Sequence, residues 1–136
     1  EYANKEVKKQ GIQNVRFYQA DACTLQFEKI YDNFMMMGLL TYIFENQDAQ
    51  SIVRKVYQSI KQGGCLIVKD SINGAGEDEI YLYNFKSRYD AVYRSKEKYY
   101  RLFEQAGFIL EQDTVFHEVD KAGLMFKSVG VIWRKE

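Results

Sequence analysis

The stretch that constrains this chain most is residues 31–43, YDNFMMMGLLTYI. An acidic residue enters a run of apolar side chains too continuous for a half-solvated strand, and Gly38 interrupts the run before a second apolar group. The pattern predicts a central strand, covered on both faces, whose C-terminal end opens at Gly38. In an open α/β sheet the ligand crevice lies at the carboxyl ends of such strands, which makes Met37, Gly38, Leu39 and Tyr42 the first candidates for a binding site. Alone, the same residues would read more readily as plain core. Their neighbours on both sides decide the reading.

Upstream, Tyr2, Ala3 and Val7 recur at helical spacing among Lys5, Lys8 and Lys9, and Gly11 can close the helix in a left-handed conformation. No start signal precedes this helix, so a further segment is expected before Glu1. Residues 15–21, VRFYQAD, alternate apolar and polar in a β-branched and aromatic setting and predict a strand that ends in small, acidic and small residues. Downstream, Asn46 or Asp48 can cap a helix whose apolar stripe is Ile52, Val53, Val56, Tyr57 and Ile60, with Gly63-Gly64 turning the chain back toward the sheet. Residues 65–70, CLIVKD, predict a second short strand, parallel to the first, whose final Asp70 would come near Gly38 and Tyr42.

Residues 73–94 break the periodicity. A glycine hinge, Asn73-Gly74-Ala75-Gly76, and an acidic cluster, Glu77-Asp78-Glu79, precede Tyr81, Tyr83, Phe85, Tyr89 and Tyr93. So long a connection inside a compact domain is usually functional or disordered, and this one is too aromatic for a plain linker. It reads either as a partly helical flap over the sheet edge or as a substrate lid. Ser95 then caps an amphipathic helix with Tyr99, Leu102, Phe103 and Ala106 inward and Gly107 at its end. Residues 108–118 and 124–134 are strand-like, and the tight turn 120–123 between them requires an antiparallel hairpin.

Nineteen basic residues balance nineteen acidic ones, so there is no electrostatic reason to expect nucleic acid or an anionic membrane as partner. No apolar run approaches the ~20 residues of a membrane span. Cys23 and Cys65 are too few for a disulfide framework or a metal cluster and read as reduced thiols of a cytoplasmic protein. His117, the single histidine, falls in the terminal hairpin and reads as an ordinary half-buried or surface residue.

The succession NVRFYQADA, YDNFMMMGLLTYI, IKQGGCLIVKD, a helix ending in QAGF and a closing hairpin resembles the C-terminal two thirds of a class I S-adenosylmethionine-dependent methyltransferase. The resemblance implies a Rossmann-like α/β sheet ordered 3-2-1-4-5-7-6, of which residues 1–136 supply a partial domain from the third strand onward, with residues 73–94 as a lid-like insertion. The glycine-rich loop that in this family cradles the methionine part of the cofactor is absent from the 136 residues, as is the acidic residue that holds the ribose. Gln62 stands where the family often has proline. Residues 1–136 alone are expected to be inactive, and their sheet is expected to expose an apolar edge that a preceding segment or a second copy of the chain covers.

Carried over residue by residue, the resemblance implies S-adenosylmethionine as cofactor. Asp21 would accept from the exocyclic amine of adenine, the Ala22 amide would donate to a ring nitrogen, and Ala22 and Cys23 would be small enough to let the base lie on the backbone. Met37 and Gly38 would lie near the sugar and methionine. Methyl transfer from a sulfonium needs the nucleophile held in line and a place for its proton, so Asp70 would orient or deprotonate the acceptor and Tyr42 would position it. The Val-Lys-Asp that contains Asp70 resembles the methyltransferases that modify protein N-termini, but those have histidine where Tyr42 stands and a bulky aromatic where Gly38 stands. The acceptor is therefore expected to be an amine or hydroxyl of a small molecule or peptide. Bland alternatives stand beside these roles: Asp21 and Asp70 could each simply cap a turn. A nicotinamide-dependent dehydrogenase fits the hairpin poorly, whereas a non-catalytic scaffold or regulatory subunit with the same fold remains the alternative.

Overall fold

The computed structural model describes residues 2–76, 78–84, 89–121 and 123–136, with the backbone alone for Lys121. Glu1, Glu77, Phe85 and Ala122, all used in the sequence reading, lie outside the described residues. The elements run α1 (Tyr2–Lys9), β1 (Tyr31–Met37), a 3-10 turn (Leu40–Tyr42), α2 (Asn46–Ser59), β2 (Ile60–Asn73), β3 (Glu79–Asn84), β4 (Tyr89–Arg94), α3 (Lys96–Glu104), β5 (Ile109–Lys121) and β6 (Leu124–Arg134). Four strands form one mixed sheet in the order β1-β2-β6-β5, while β3 and β4 pair only with each other. β1 and β2 are parallel, with Met36 opposite Val68, and α2 makes the crossover that a parallel pair requires. β6 runs antiparallel to both β2 and β5.

One face of the sheet is dry. Leu66, Val68 and Ile72 of β2 and Val129, Val131 and Trp133 of β6 pack against Ile52, Val53 and Val56 of α2 and Tyr99, Leu102 and Phe103 of α3. Both helices therefore bury the stripe that the 3.6-residue period marks in their sequences. Trp133 stacks on Phe103 with ring centroids 4.9 Å apart, and both rings are fully buried. Burying each such large apolar side chain contributes about 1.5–3 kcal/mol, which anchors the two helices to this face. Ser95 caps α3 by accepting a hydrogen bond from the Lys98 amide at 3.2 Å, as its place before the helix suggests.

Several sequence expectations change in the structure. β1 is an edge strand rather than a central one, and it is covered on one face only. Met36 is buried under α2, but Met35 and Met37, which point to the other face, are 61% and 53% exposed. An apolar run thus reflects one buried face plus an uncovered one, which composition alone does not distinguish. Residues 15–20 form no strand among the described residues, because no ladder partner lies beside them; the Phe17 N–H and C=O are taken instead by the Asn4 side chain at 3.1 and 2.9 Å. Neither Asn46 nor Asp48 caps α2: Glu45 is the N-cap and provides no side-chain hydrogen bond. Asn46 is engaged elsewhere, with Arg94 and Glu79. The helix ends at Ser59, before the Lys61–Gly64 stretch expected to end it, so that Ile60 already begins β2, and Gly63 at φ 75° lies in an irregularity of that strand rather than in a separate turn. Asp32, the acidic residue that enters the apolar run, lies in β1 and pairs with Lys61 at 2.5 Å, at the end of the strand away from Gly38.

The largest revision concerns residues 73–94. Where partial helix was one expectation, the described residues form an antiparallel hairpin, β3 paired with β4, with Ile80 opposite Tyr93 and Leu82 opposite Ala91. Tyrosines at alternate positions favour a strand over a helix, and the hairpin buries Ile80, Ala91 and Tyr93 against Phe126 of β6.

Candidate active site

At the C-terminal end of β1 the chain turns through Gly38, whose φ of 62° is left-handed and strained for any residue with a Cβ. Its amide still donates to the Lys69 carbonyl at 2.7 Å, so the turn begins in register with β2. The chain then winds through the 3-10 turn Leu40–Tyr42, and two buried charges hold that turn from opposite sides.

The first is Asp70, 1% exposed and inside β2 rather than at its end. One carboxylate oxygen accepts from the Leu40 amide at 3.0 Å and from the Tyr99 hydroxyl at 3.2 Å. The other accepts from the Thr41 hydroxyl and from the Ser71 amide at 2.9 Å. The carboxylate thus replaces its lost hydration with four donors, which is the condition for burying a charge. Burial, with the nearby Asp70 charge, holds the Tyr99 phenol well above its usual pKa, so it remains a donor.

The second charge is Arg94, also 1% exposed. Its guanidinium donates to the Leu40 carbonyl at 2.9 Å, to the Ile43 and Phe44 carbonyls at 2.7 and 3.3 Å, and to the Asn46 side chain at 2.7 Å. The fixed fork of an arginine satisfies backbone acceptors on both sides of the turn, which a lysine could not do. Burial lowers its pKa, an effect opposed by Glu79 at 4.0 Å. Arg94 thereby fastens the hairpin to the turn.

Tyr42 leaves this scaffold outward, half exposed, with its ring edge-on to Tyr89 at 5.7 Å. Tyr89 in turn shares a hydrogen bond with the Tyr93 hydroxyl at 3.0 Å. The adjacent Tyr89 hydroxyl, and then burial, raise the Tyr42 pKa, so Tyr42 presents a neutral phenol. Asp70 and Tyr42 are therefore brought together as expected, but not in the same role: the aspartate is sealed behind the turn and the tyrosine faces out.

The other candidates gather beside β1. Asp21 makes a tight turn, its carboxylate accepting from the Cys23 amide at 2.7 Å and its carbonyl from the Leu25 amide at 2.8 Å. Lys55 of α2 reaches under this loop and donates to the carbonyls of Ala22, Cys23 and Leu25 at 2.9–3.0 Å. An apolar cavity of about 280 Å³ opens between loop and sheet, lined among others by Ala22, Leu25, Met36, Met37, Leu39 and Ile52. Ala22 and Met37, separated in sequence, thus share one cavity wall. Asp21 and Cys23 are exposed next to it, and the space around Gly38 is open. The residues that sequence reasoning missed are Arg94, Lys55, Thr41 and Tyr99. Each acts through contacts 29 to 54 residues away in the chain, which no local pattern signals.

The family model of a methyltransferase domain matches residues 1–64. No curated protein matches the chain. Solved structures do. A S-adenosylmethionine-dependent methyltransferase from Methanosarcina mazei is 14% identical with a TM-score of 0.73, and the match covers 98% of this chain and 75% of that one. The O-methyltransferase of a trans-AT polyketide synthase multienzyme from Brevibacillus brevis, in complex with S-adenosylhomocysteine, is 10% identical with a TM-score of 0.76 over 97% of this chain and 53% of that one. The N-methyltransferase NodS from Bradyrhizobium japonicum, also with S-adenosylhomocysteine, is 9% identical with a TM-score of 0.67 over 98% of this chain and 61% of that one. The sheet order matches the last four strands of the order expected from the sequence resemblance. The chain is a partial domain of the class I S-adenosylmethionine-dependent methyltransferase fold.

Proposed function

We propose that the complete protein transfers a methyl group from S-adenosylmethionine to an amine or hydroxyl of a small-molecule or peptide acceptor. The observation that carries the reading is the cavity in which Ala22 and Met37 meet, beside the free end of β1. Two proteins of similar fold, one acting on oxygen and one on nitrogen by their names, hold S-adenosylhomocysteine, which supports the cofactor and leaves the acceptor atom open. The residues present fit the adenine end of that cofactor. One Asp21 oxygen is used by the Cys23 amide, which leaves the other for an exocyclic amine, and the cavity walls are apolar. Cys23 and Gly38 would border the ligand with backbone rather than side chain. Residues to hold the methionine end would come from outside the 136 present.

When bound, the cofactor supplies a methyl group on a sulfonium that departs as a neutral thioether. The chain's part is positional. Tyr42 offers a neutral hydroxyl whose oxygen can accept the acceptor's N–H or O–H and so aim its lone pair at the methyl group, and the proton released on transfer passes to solvent at this half-exposed position. Asp70 acts through the turn, fixing Leu40 and Thr41 and with them Tyr42, and Arg94 locks the same turn from the hairpin side. The hairpin β3–β4 serves as the acceptor-side wall and lid. The open edge of β1 is where a preceding segment or a second copy of the chain would pair. No helix among the described residues is long and apolar enough to cross a membrane; a cytoplasmic setting, in which the free Cys23 and Cys65 stay reduced, belongs to the same proposal.

The test is a methyl-transfer assay of the complete protein with labelled cofactor against panels of small amines and hydroxy compounds. Transfer that falls in Tyr42→Phe supports the reading. Cofactor binding with no transfer to any acceptor would favour the non-catalytic alternative.

A further inference from the structure

A second group of polar residues lies on the opposite face of the sheet from Asp70. Ser71 of β2 is directly across from Ser128 of β6, and Ser128 is directly across from His117 of β5. The three thus form a row across neighbouring strands, ~4.8 Å from one to the next. All three line a cavity of about 230 Å³ whose roof is Leu82 and Tyr93 of the hairpin and whose flank is Phe126. Among the described residues, none of these two hydroxyls and the imidazole has a hydrogen-bond partner. Two serines and a histidine held side by side in register, part-exposed and free of protein partners, can donate together to one ligand.

The geometry points to a site for the carboxylate end of a small organic acid with an apolar body. Each serine hydroxyl and one imidazole N–H can donate, and an ionised carboxylate accepts through both oxygens. No carboxylate lines the cavity. Lys127 does, and although Glu118 pairs with it at 2.9 Å, it leaves the local charge no worse than neutral for an anion. Leu82, Phe126, Val119 and the Tyr93 ring provide apolar walls for the remainder of the molecule. The volume is below the ~300–1,000 Å³ of sites for drug-sized ligands, which suits a small molecule or one end of a larger one.

The site also has a route to the acceptor side. The Tyr93 hydroxyl meets that of Tyr89, and Tyr89 packs on Tyr42. The acid would be the anchoring end of the methyl acceptor. That link rests on the methyltransferase reading, but the binding test below uses neither cofactor nor methyl transfer, so the two can fail separately.

The experiment is an NMR titration of the full chain with benzoate and, separately, with its neutral isostere benzamide. Benzoate is expected to bind saturably, shifting the backbone amides of Ser71, Ser128 and His117, and benzamide to bind roughly tenfold more weakly for want of charge-assisted hydrogen bonds. Ser128→Ala, which removes one small hydroxyl, and His117→Gln, at an exposed position, should each weaken benzoate by roughly tenfold. No saturable shift, equal affinity for the two probes, or unchanged affinity in both variants would overturn the assignment.

Discussion

Replacing Asp70 by asparagine changes one oxygen to an NH2 group and almost nothing in volume, so its effect can be worked out donor by donor. If the amide oxygen takes the place that accepts from Thr41 and Ser71, the NH2 faces the Leu40 amide and the Tyr99 hydroxyl. Tyr99 can rotate its proton away and accept, but the Leu40 N–H cannot. If the amide is flipped, Thr41 can accept, and the Ser71 N–H is left facing a donor. Either way one backbone N–H loses its acceptor, the Leu40 N–H from a buried contact or the Ser71 N–H from a part-buried one. An unsatisfied buried donor costs about 1–3 kcal/mol, and hydrogen bonds to a charged acceptor weaken further when that charge is removed. Asp70→Asn should therefore destabilise the chain by about 2–3 kcal/mol, a large share of the 5–15 kcal/mol typical of a domain. Urea unfolding followed by tryptophan fluorescence reads this directly, since Trp133 lies in the same core. A midpoint within about 0.5 kcal/mol of the native chain would show that the carboxylate does not brace the turn, and with it the positioning role assigned to Asp70 would fall.

Removing Arg94 should cost more. Arg94→Ala strands the Leu40 and Ile43 carbonyls and the Asn46 side chain, and the expected loss, measured by the same unfolding assay, is about 3–5 kcal/mol. Glu79 sets a pH dependence. Burial alone would raise its carboxyl, but hydrogen bonds from Asn46 and Tyr81 together with Lys98 and Arg94 hold it below the usual range. Because the folded pKa is the lower one, its contribution is present above the unfolded value near 4.5 and is lost as pH falls through the folded value, so unfolding midpoints should drop in acid less steeply in Glu79→Gln than in the native chain. Tyr42→Phe should leave stability nearly unchanged, because Tyr42 is half exposed, and lower kcat by roughly tenfold with an accepted substrate while cofactor affinity holds.

Much of the fold was legible because periodicity reports burial. The α2 and α3 stripes, the Ser95 cap and the closing hairpin all follow from one residue at a time meeting one neighbour's face. What periodicity does not report is how many faces of a strand are covered. The MMM of β1 suggested a central strand, yet in the sheet β1 lies at an edge with Met35 and Met37 uncovered. Residues 15–20 have the composition of a strand but no ladder, since strand formation is a property of pairs. The site was half legible for a related reason. Strand order alone brings Asp70 toward the turn that follows β1, and its contacts with Leu40 and Thr41 lie there, although Asp70 is inside β2 and not at its end. Which of Asp70 and Tyr42 faces inward was not predictable, because it depends on Thr41, Tyr99 and Arg94 arriving from distant elements to satisfy a buried charge. His117 read as an ordinary half-buried or surface residue and is exposed, and nothing in its own strand marks the cavity that it lines with Ser71 and Ser128.

The central claim is that the loop at Asp21 and the end of β1 form the adenine side of an S-adenosylmethionine site, and calorimetric titration of the complete protein with S-adenosylhomocysteine tests it most directly. The account predicts one saturable site per chain, weakened by about 1–3 kcal/mol in Asp21→Ala, the cost of leaving a bound amine without its acceptor. Absence of binding, or binding that is indifferent to Asp21→Ala, would contradict it.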